Sequence, residues 1–243
     1  LKNLAALIEV EPLSGIIGIG HTRWATHGVP SQNNAHPHQK GSVIGVHNGI
    51  IENFRELKIE LENKGYEFTS ETDSEVVVQL CASYLESGSS YKEAFEKTLG
   101  RLEGAFALCF MFKGNEEKLF VSRRGAPLVI GYGKASMLVG SDAVSLSHLI
   151  NEVTFLEEDD WGMVNKSGVE IFDKLGKKVL RERKRVEKDF SSIGKGNYQH
   201  FMLKEINEQP EVLSYATARV LNHKSSKVEM LEYLHKIQSI DRL

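Results

Sequence analysis

Between Gly18 and Asn53 the chain reads GIGHTRWATHGVPSQNNAHPHQKGSVIGVHNGIIEN, and five of its nine histidines (His21, His27, His36, His38 and His47) fall inside that window. From Pro12 to Ile51 there is no Asp or Glu. Three chemistries suit such a segment: an imidazole cage for a metal, a cradle for a cofactor, or a pocket for a ligand that carries a carboxylate. His21, His27, His36 and His38 could supply metal ligands, but the segment lacks the carboxylate that a zinc or iron hydrolase usually adds. No metal and no organic cofactor is expected, and a histidine-cluster metal hydrolase stays as the alternative. His21, His36 and His38 read better as loop and strand-end residues hydrogen-bonded to backbone.

The anion pocket rests on particular residues. Arg23 has no acidic neighbour in sequence and can aim two parallel N–H donors at a carboxylate. Thr26 and His27 add a hydroxyl and loop amides, and Trp24 can shield the pocket from water. Asn48-Gly49 reads as a tight turn at a strand end, yet an amide side chain beside outward-facing backbone N–H groups also suits a tetrahedral oxyanion. Asp73 fits a helix cap, or a partner for the ammonium group of an amino acid whose carboxylate Arg23 holds. Taken alone, an arginine at a strand end serves more often in a surface ion pair, and both readings stand at each position.

These residues need elements to carry them. LKNLAALIEV reads as the end of a helix and GIIGIGHTRWA as an apolar strand, followed by a polar loop, VPSQNNAHPHQKG. SVIGVHNG is a short strand, and IIENFRELKIELENKGYEF has helical spacing with Gly65 as C-cap. SETDSEVVVQLCASYLESG is a second helix, where Ser70 with Asp73 or Thr72 with Glu75 fits the capping pattern. SYKEAFEKTLGRLEG is a third. Short strands with turn punctuation follow from AFALCFMF through VEIFD to KKVLRERKRV. Helices early and hairpin-linked strands later predict a layered α+β domain on antiparallel sheet. The expected organisation is a domain over 1–186, a polar linker over 187–199, and over 200–243 the helical start of another domain, broken or kinked at Pro210.

At 243 residues, 41% of them hydrophobic, the chain has enough apolar material for a sizeable core. A net charge of −3 argues against a nucleic-acid partner. Cys81 and Cys109 lie in apolar surroundings, as free thiols do in a reducing compartment, and no apolar run reaches the ~18 residues that span a bilayer. A cytoplasmic location is expected. Leu1 in place of Met, and a last segment without a polar tail, predict a natural protein extending beyond both ends.

HTRWATHG (21–28), HNGIIENF (47–54) and SETDSEV (70–76), with PLVIG (127–131), FLEEDD (155–160) and FMLKEINEQP (201–210) in that order, resemble the class II glutamine amidotransferases. The likeness is strongest to the glucosamine-6-phosphate synthases, since purine-pathway members show Tyr-Ser-Thr where this chain has Trp24-Ala25-Thr26. The resemblance implies a four-layer αββα sandwich of two antiparallel sheets, of the N-terminal-nucleophile hydrolase type. It implies that Arg23 and Asp73 grip the α-carboxylate and α-amino group of L-glutamine, with Trp24, Thr26 and His27 completing the pocket and Asn48 and Gly49 forming the oxyanion hole. It also implies a nucleophilic N-terminal cysteine that residues 1–243 do not contain, and ammonia delivery to fructose 6-phosphate in the protein's own C-terminal isomerase domain. A full-length homodimer goes with it. Cys81 and Cys109, without a neighbouring base, are not expected to replace the cysteine. A glutaminase domain of another class II amidotransferase, or a non-catalytic amino-acid-binding module, are the other readings.

Overall fold

Alternation with period two builds the centre of the protein, because successive side chains of a strand face opposite sides of a sheet. In the computed structural model, which describes residues 2–23, 27–186, 195–218, 221–222 and 227–228, strand β3 (Gly104–Phe112) shows this most clearly. Phe106, Leu108, Phe110 and Phe112 enter one core, and Ala107, Cys109 and Met111 enter another. The described residues form two units, Leu1–Glu187 and Lys188–Leu243.

In the first unit, seven strands form an antiparallel sheet in the order β1 (His38–Lys40), β2 (Val43–Ile51), β3, β4 (Lys118–Arg124), β8 (Trp161–Asn165), β9 (Gly168–Phe172), β10 (Lys178–Val179). A second antiparallel sheet of four strands runs β11 (Lys184–Arg185), β7 (Glu152–Phe155), β5 (Val129–Tyr132), β6 (Met137–Gly140). Helices α2 (Phe54–Asn63), α3 (Asp73–Glu86) and α4 (Tyr91–Leu99) cover one face of the large sheet through Leu57, Leu61, Val76, Val77, Leu80 and Phe95. On the opposite face Val46, Cys109, Leu119 and Val121 pack with Leu128, just before β5, and Ile130 of the small sheet. Beyond the small sheet, the single-turn helix α5 (Ala143–Leu146) supplies Leu146 to a third cluster with Val129, Ile150 and Val153. The αββα layering is therefore present, with its outer helical layer reduced to one turn.

Val76-Val77-Val78 is a β-branched run that lowers helix propensity. It is helical because α3 lies between the sheet and its neighbouring helices, burying residues 73–83 throughout. Thr72 caps α3 by accepting from Glu75 N–H, and Ser90 with Glu93 makes a full capping box on α4. Ser70 instead shares a hydrogen bond with the Thr72 hydroxyl.

Several sequence expectations change. GIIGIGHTRWA forms no strand among the described residues, although Ile17 and Ile19 still pack against the inter-sheet core. Alternation of side chains is kept there without a backbone ladder. The loop VPSQNNAHPHQKG yields strand β1 at its end. Asn48-Gly49 is no turn: β2 runs on to Ile51, with Asn48 opposite Ala107 and Gly49 opposite Phe106. Ile51 therefore belongs to the strand and the helix starts at Phe54.

In the second unit, helix α1 having opened the first at Lys2–Val10, helix α6 (Phe201–Ala218) runs through Pro210 without a break. It is followed by a hairpin of β12 (Leu221–Asn222) and β13 (Lys227–Val228) where helix was expected. The expected linker falls largely outside the described residues. No helix among the described residues is long and apolar enough to cross a membrane.

Candidate active site

Strand β2 delivers His47 and Asn48 to opposite faces of the large sheet, as its period of two requires. His47 turns toward α3, its Nδ1 2.9 Å from Ser74 Oγ. Asn48 turns toward the segment that follows Ile17 and Ile19, where its Oδ1 lies 2.6 Å from His21 Nε2. Gly49 has φ +117, and a Cβ there would sit 2.0 Å from the Ala105 carbonyl oxygen, so only glycine fits this close approach. Asp73 opens α3, almost fully buried, and its Oδ2 accepts from Ile51 N–H at 2.9 Å. That bond ties the helix N-terminus to the end of β2. Asp73 Oδ1 lies 3.8 Å from His27 Nδ1.

A cavity of about 370 Å³ opens where these elements meet, lined among others by His21, Arg23, His27, Asn48, Gly49 and Asp73. Its size falls in the range of small-molecule sites. Arg23 adopts a left-handed φ of 55, which costs a non-glycine residue of order 1–2 kcal/mol. Its guanidinium holds the loop that follows: Nη1 donates to the Val29 carbonyl at 3.1 Å, and Nη2 to those of His27 and Gly28 at 2.8 and 2.9 Å. A paired-donor fork toward a ligand therefore requires a loop carbonyl to be given up. Asn34 holds the same loop from the other side, donating to Val29 O and Glu71 Oε2 and accepting from Glu71 N–H.

The histidines divide by environment. Burial pushes the His36 pKa down to about 3 and that of His47 to about 4, and it lowers His38 as well. Neither ring nitrogen of His36 has a hydrogen-bond partner, and His38 Nε2 meets the Thr72 hydroxyl at 3.0 Å. The expected backbone bonds to these two rings are therefore replaced by packing in one case and a side chain in the other. Only His21 bonds to backbone as expected, accepting from Arg23 N–H at 2.8 Å. No group of three metal-capable side chains is found among the described residues.

A family model described as a glutamine amidotransferase domain matches residues 21–148, just over half of the chain. The chain belongs to the glutamine amidotransferase family. The whole chain is 49% identical to the glutamine–fructose-6-phosphate aminotransferase (isomerizing) of Mesorhizobium japonicum, covering 40% of that protein. Over 229 residues, 94% of the chain, it is 48% identical to the enzyme of the same name in Agrobacterium fabrum, covering 38% of it. The chain thus spans about 40% of the length of these curated relatives. Among solved structures, the glutamine phosphoribosylpyrophosphate amidotransferase from B. subtilis superposes with a TM-score of 0.54 at 27% identity, over 63% of this chain and 34% of that one.

Within the amidotransferase domain, the cavity brings together Arg23, His27, Asn48, Gly49 and Asp73; Trp24 and Thr26 lie outside the described residues. Sequence reasoning missed Thr72, Ser74 and Ile50 as lining residues, and it left His21, His36 and His47 without a role in the pocket. Position in the motif next to a candidate residue was the available signal for Thr72, Ser74, Ile50 and His47. Cys81 and Cys109 are free and buried, and burial raises both thiols to about 12, so neither presents a thiolate near neutral pH.

Proposed function

We propose that residues 1–186 form the glutamine-hydrolysing domain of a glucosamine-6-phosphate synthase, which supplies ammonia from L-glutamine to convert fructose 6-phosphate to glucosamine 6-phosphate. The observation that carries this reading is the meeting of Arg23, Asp73 and the Asn48-Gly49 pair in one cavity of amino-acid size. Asp73 Oδ1, the oxygen not engaged by Ile51 N–H, accepts from the α-ammonium group. Arg23 turns from the loop carbonyls to the α-carboxylate, so ligand binding and the arrangement of residues 27–29 are linked. The side-chain carboxamide then extends toward Asn48 and Gly49.

The attacking thiolate comes from a cysteine outside residues 1–243, in keeping with the buried state of Cys81 and Cys109. Its sulfur adds to the carboxamide carbon, and negative charge collects on the oxygen facing Asn48 Nδ2 and the Gly49 N–H. Loss of one such donor typically costs ~2.7 to 4 kcal/mol. Collapse of the adduct expels ammonia, and water cleaves the thioester to glutamate. The names of the curated relatives support fructose 6-phosphate as the acceptor, in an isomerase domain beyond residue 200. The cytoplasm is the proposed location.

The test is glutamine-dependent ammonia release by the full-length protein that carries residues 1–243. Arg23→Ala is expected to raise the glutamine KM at least 30-fold while use of free ammonia persists. An unchanged KM removes the clamp. Stoichiometric zinc or iron, lost in a His21/His27 double variant, would favour the metal hydrolase instead.

A further inference from the structure

His21 stands between two partners, one of which has a fixed hydrogen-bonding character. Its Nδ1 lies 2.8 Å from the Arg23 backbone nitrogen, and a main-chain N–H can only donate. Nδ1 therefore presents a lone pair. A neutral imidazole carries one N–H, so the hydrogen sits on Nε2. That atom lies 2.6 Å from Asn48 Oδ1 and donates to it.

The direction of the Asn48 amide follows. With Oδ1 turned to His21, the Nδ2 amino group points away from it, and it has no protein acceptor among the described residues. The flipped amide would set N–H against N–H and lose the bond. The His21 ring is also held in place by packing, its centroid 4.2 Å from that of His36 at a tilt of 44°. His36 brings no charge to this contact near neutral pH, since burial keeps it neutral down to about 3. Asn48 thus arrives on β2 with its orientation decided by a residue 27 positions earlier. The left-handed backbone of Arg23 lies at the residue whose N–H selects the His21 tautomer.

We propose that His21 is a positioning residue for the oxyanion site: held as the Nε2–H tautomer by the Arg23 amide, it fixes Asn48 with its donor edge toward the carboxamide oxygen of bound substrate. The inference rests on the glutamine reading and adds a residue to it. An Asn48 free to rotate would spend part of its time presenting Oδ1 to the developing oxyanion, which repels it. The loss should appear in the chemical step and not in substrate binding.

The experiment compares His21→Ala, Asn48→Ala, the double variant and His21→Gln in the full-length protein, by ammonia release from glutamine. His21→Ala is expected to lower kcat about 10- to 100-fold with the glutamine KM within about threefold. His21→Gln, whose side-chain amide can still donate to Asn48, should recover most of that loss. In an Asn48→Ala background, His21→Ala should cost less than about twofold, because the group it orients is already gone. Should His21→Ala not fold, His21→Leu takes its place, keeping apolar bulk without a donor. Full multiplication of the two losses, or a raised KM at unchanged kcat, overturns the inference while leaving the glutamine reading intact. An Asn48→Ala protein with unchanged kcat sinks the oxyanion assignment itself, and His21 with it.

Discussion

Gly49 is the residue with least freedom to change. At φ +117, with the Ala105 carbonyl oxygen where a Cβ would go, Gly49→Ala meets both backbone strain and a steric clash with main chain that cannot move aside. The expected cost is more than about 2 kcal/mol, and more than a 10-fold fall in glutaminase kcat, read from urea midpoints and from ammonia release. A fully active, equally stable variant would mean that β2 has a different path. The cysteines make the opposite prediction. Because both thiols are buried and raised to about 12, a Cys81→Ala, Cys109→Ala double variant should keep kcat within about threefold. Loss of activity with the fold intact would reopen the search for the nucleophile on this chain. Sequence alone singled out Gly49 for a turn; the actual demand on it, approach of one strand to its neighbour, depends on a register that pairs residues more than fifty positions apart.

At the scale of elements, the N-terminus of α3 is the joint of the site. Thr72 caps the helix and Asp73 bonds back to Ile51. Glu75 receives the Thr69 and Ser70 amides. Burial pushes the Glu75 carboxyl up, but hydrogen bonds from Ser70, Thr69 and Gln79 outweigh it and bring it below the usual range. Thr72→Ala removes the cap and the His38 partner together, so it should cost about 1–2 kcal/mol and raise the glutamine KM by loosening Asp73. A stability change without a KM change would separate the helix from the pocket. The sheet is held from the helix side by rings: Phe95, Phe110, Phe112 and Phe120 are fully buried and meet edge to face. Phe110→Ala should cost about 3–5 kcal/mol in chemical denaturation, the upper range because Gly45 opposite offers nothing to fill the gap.

For the molecule as a whole, the buried histidines set the response to acid. His36 and His47 have folded-state pKa values of about 3 and about 4, below the ordinary 6.5. Below pH ~6.5 the unfolded chain takes up protons at these positions that the native protein refuses until about pH 4, so stability falls as pH falls through this window. The slope is at most about 1.4 kcal/mol per pH unit for each histidine. Carboxylates such as Glu75, held low by hydrogen bonds, add their loss only further down. Denaturation midpoints at pH 7.5, 6 and 5 should therefore decline, and His36→Leu should flatten the decline by about one proton's worth. An equal slope in that variant would show that His36 takes up its proton in the native state too.

The family of this protein was legible in its sequence because motifs are local. HTRWATHG, HNGIIENF and SETDSEV name the family from residue types and spacing, and period-two runs such as AFALCFMF mark strands wherever they occur. Backbone partners are not local. The apolar alternation before Arg23 lacks a ladder, Asn48-Gly49 stays in a strand that a turn signal should have ended, and α3 is helical through three consecutive valines. Propensity and pattern describe what a segment can do by itself, whereas hydrogen-bond pairing and burial depend on what the rest of the chain places beside it. The same holds within the site: the Arg23 donors turn to loop carbonyls within the same short stretch, but tertiary structure set His21 against Asn48, a contact between segments whose approach no single stretch of sequence encodes.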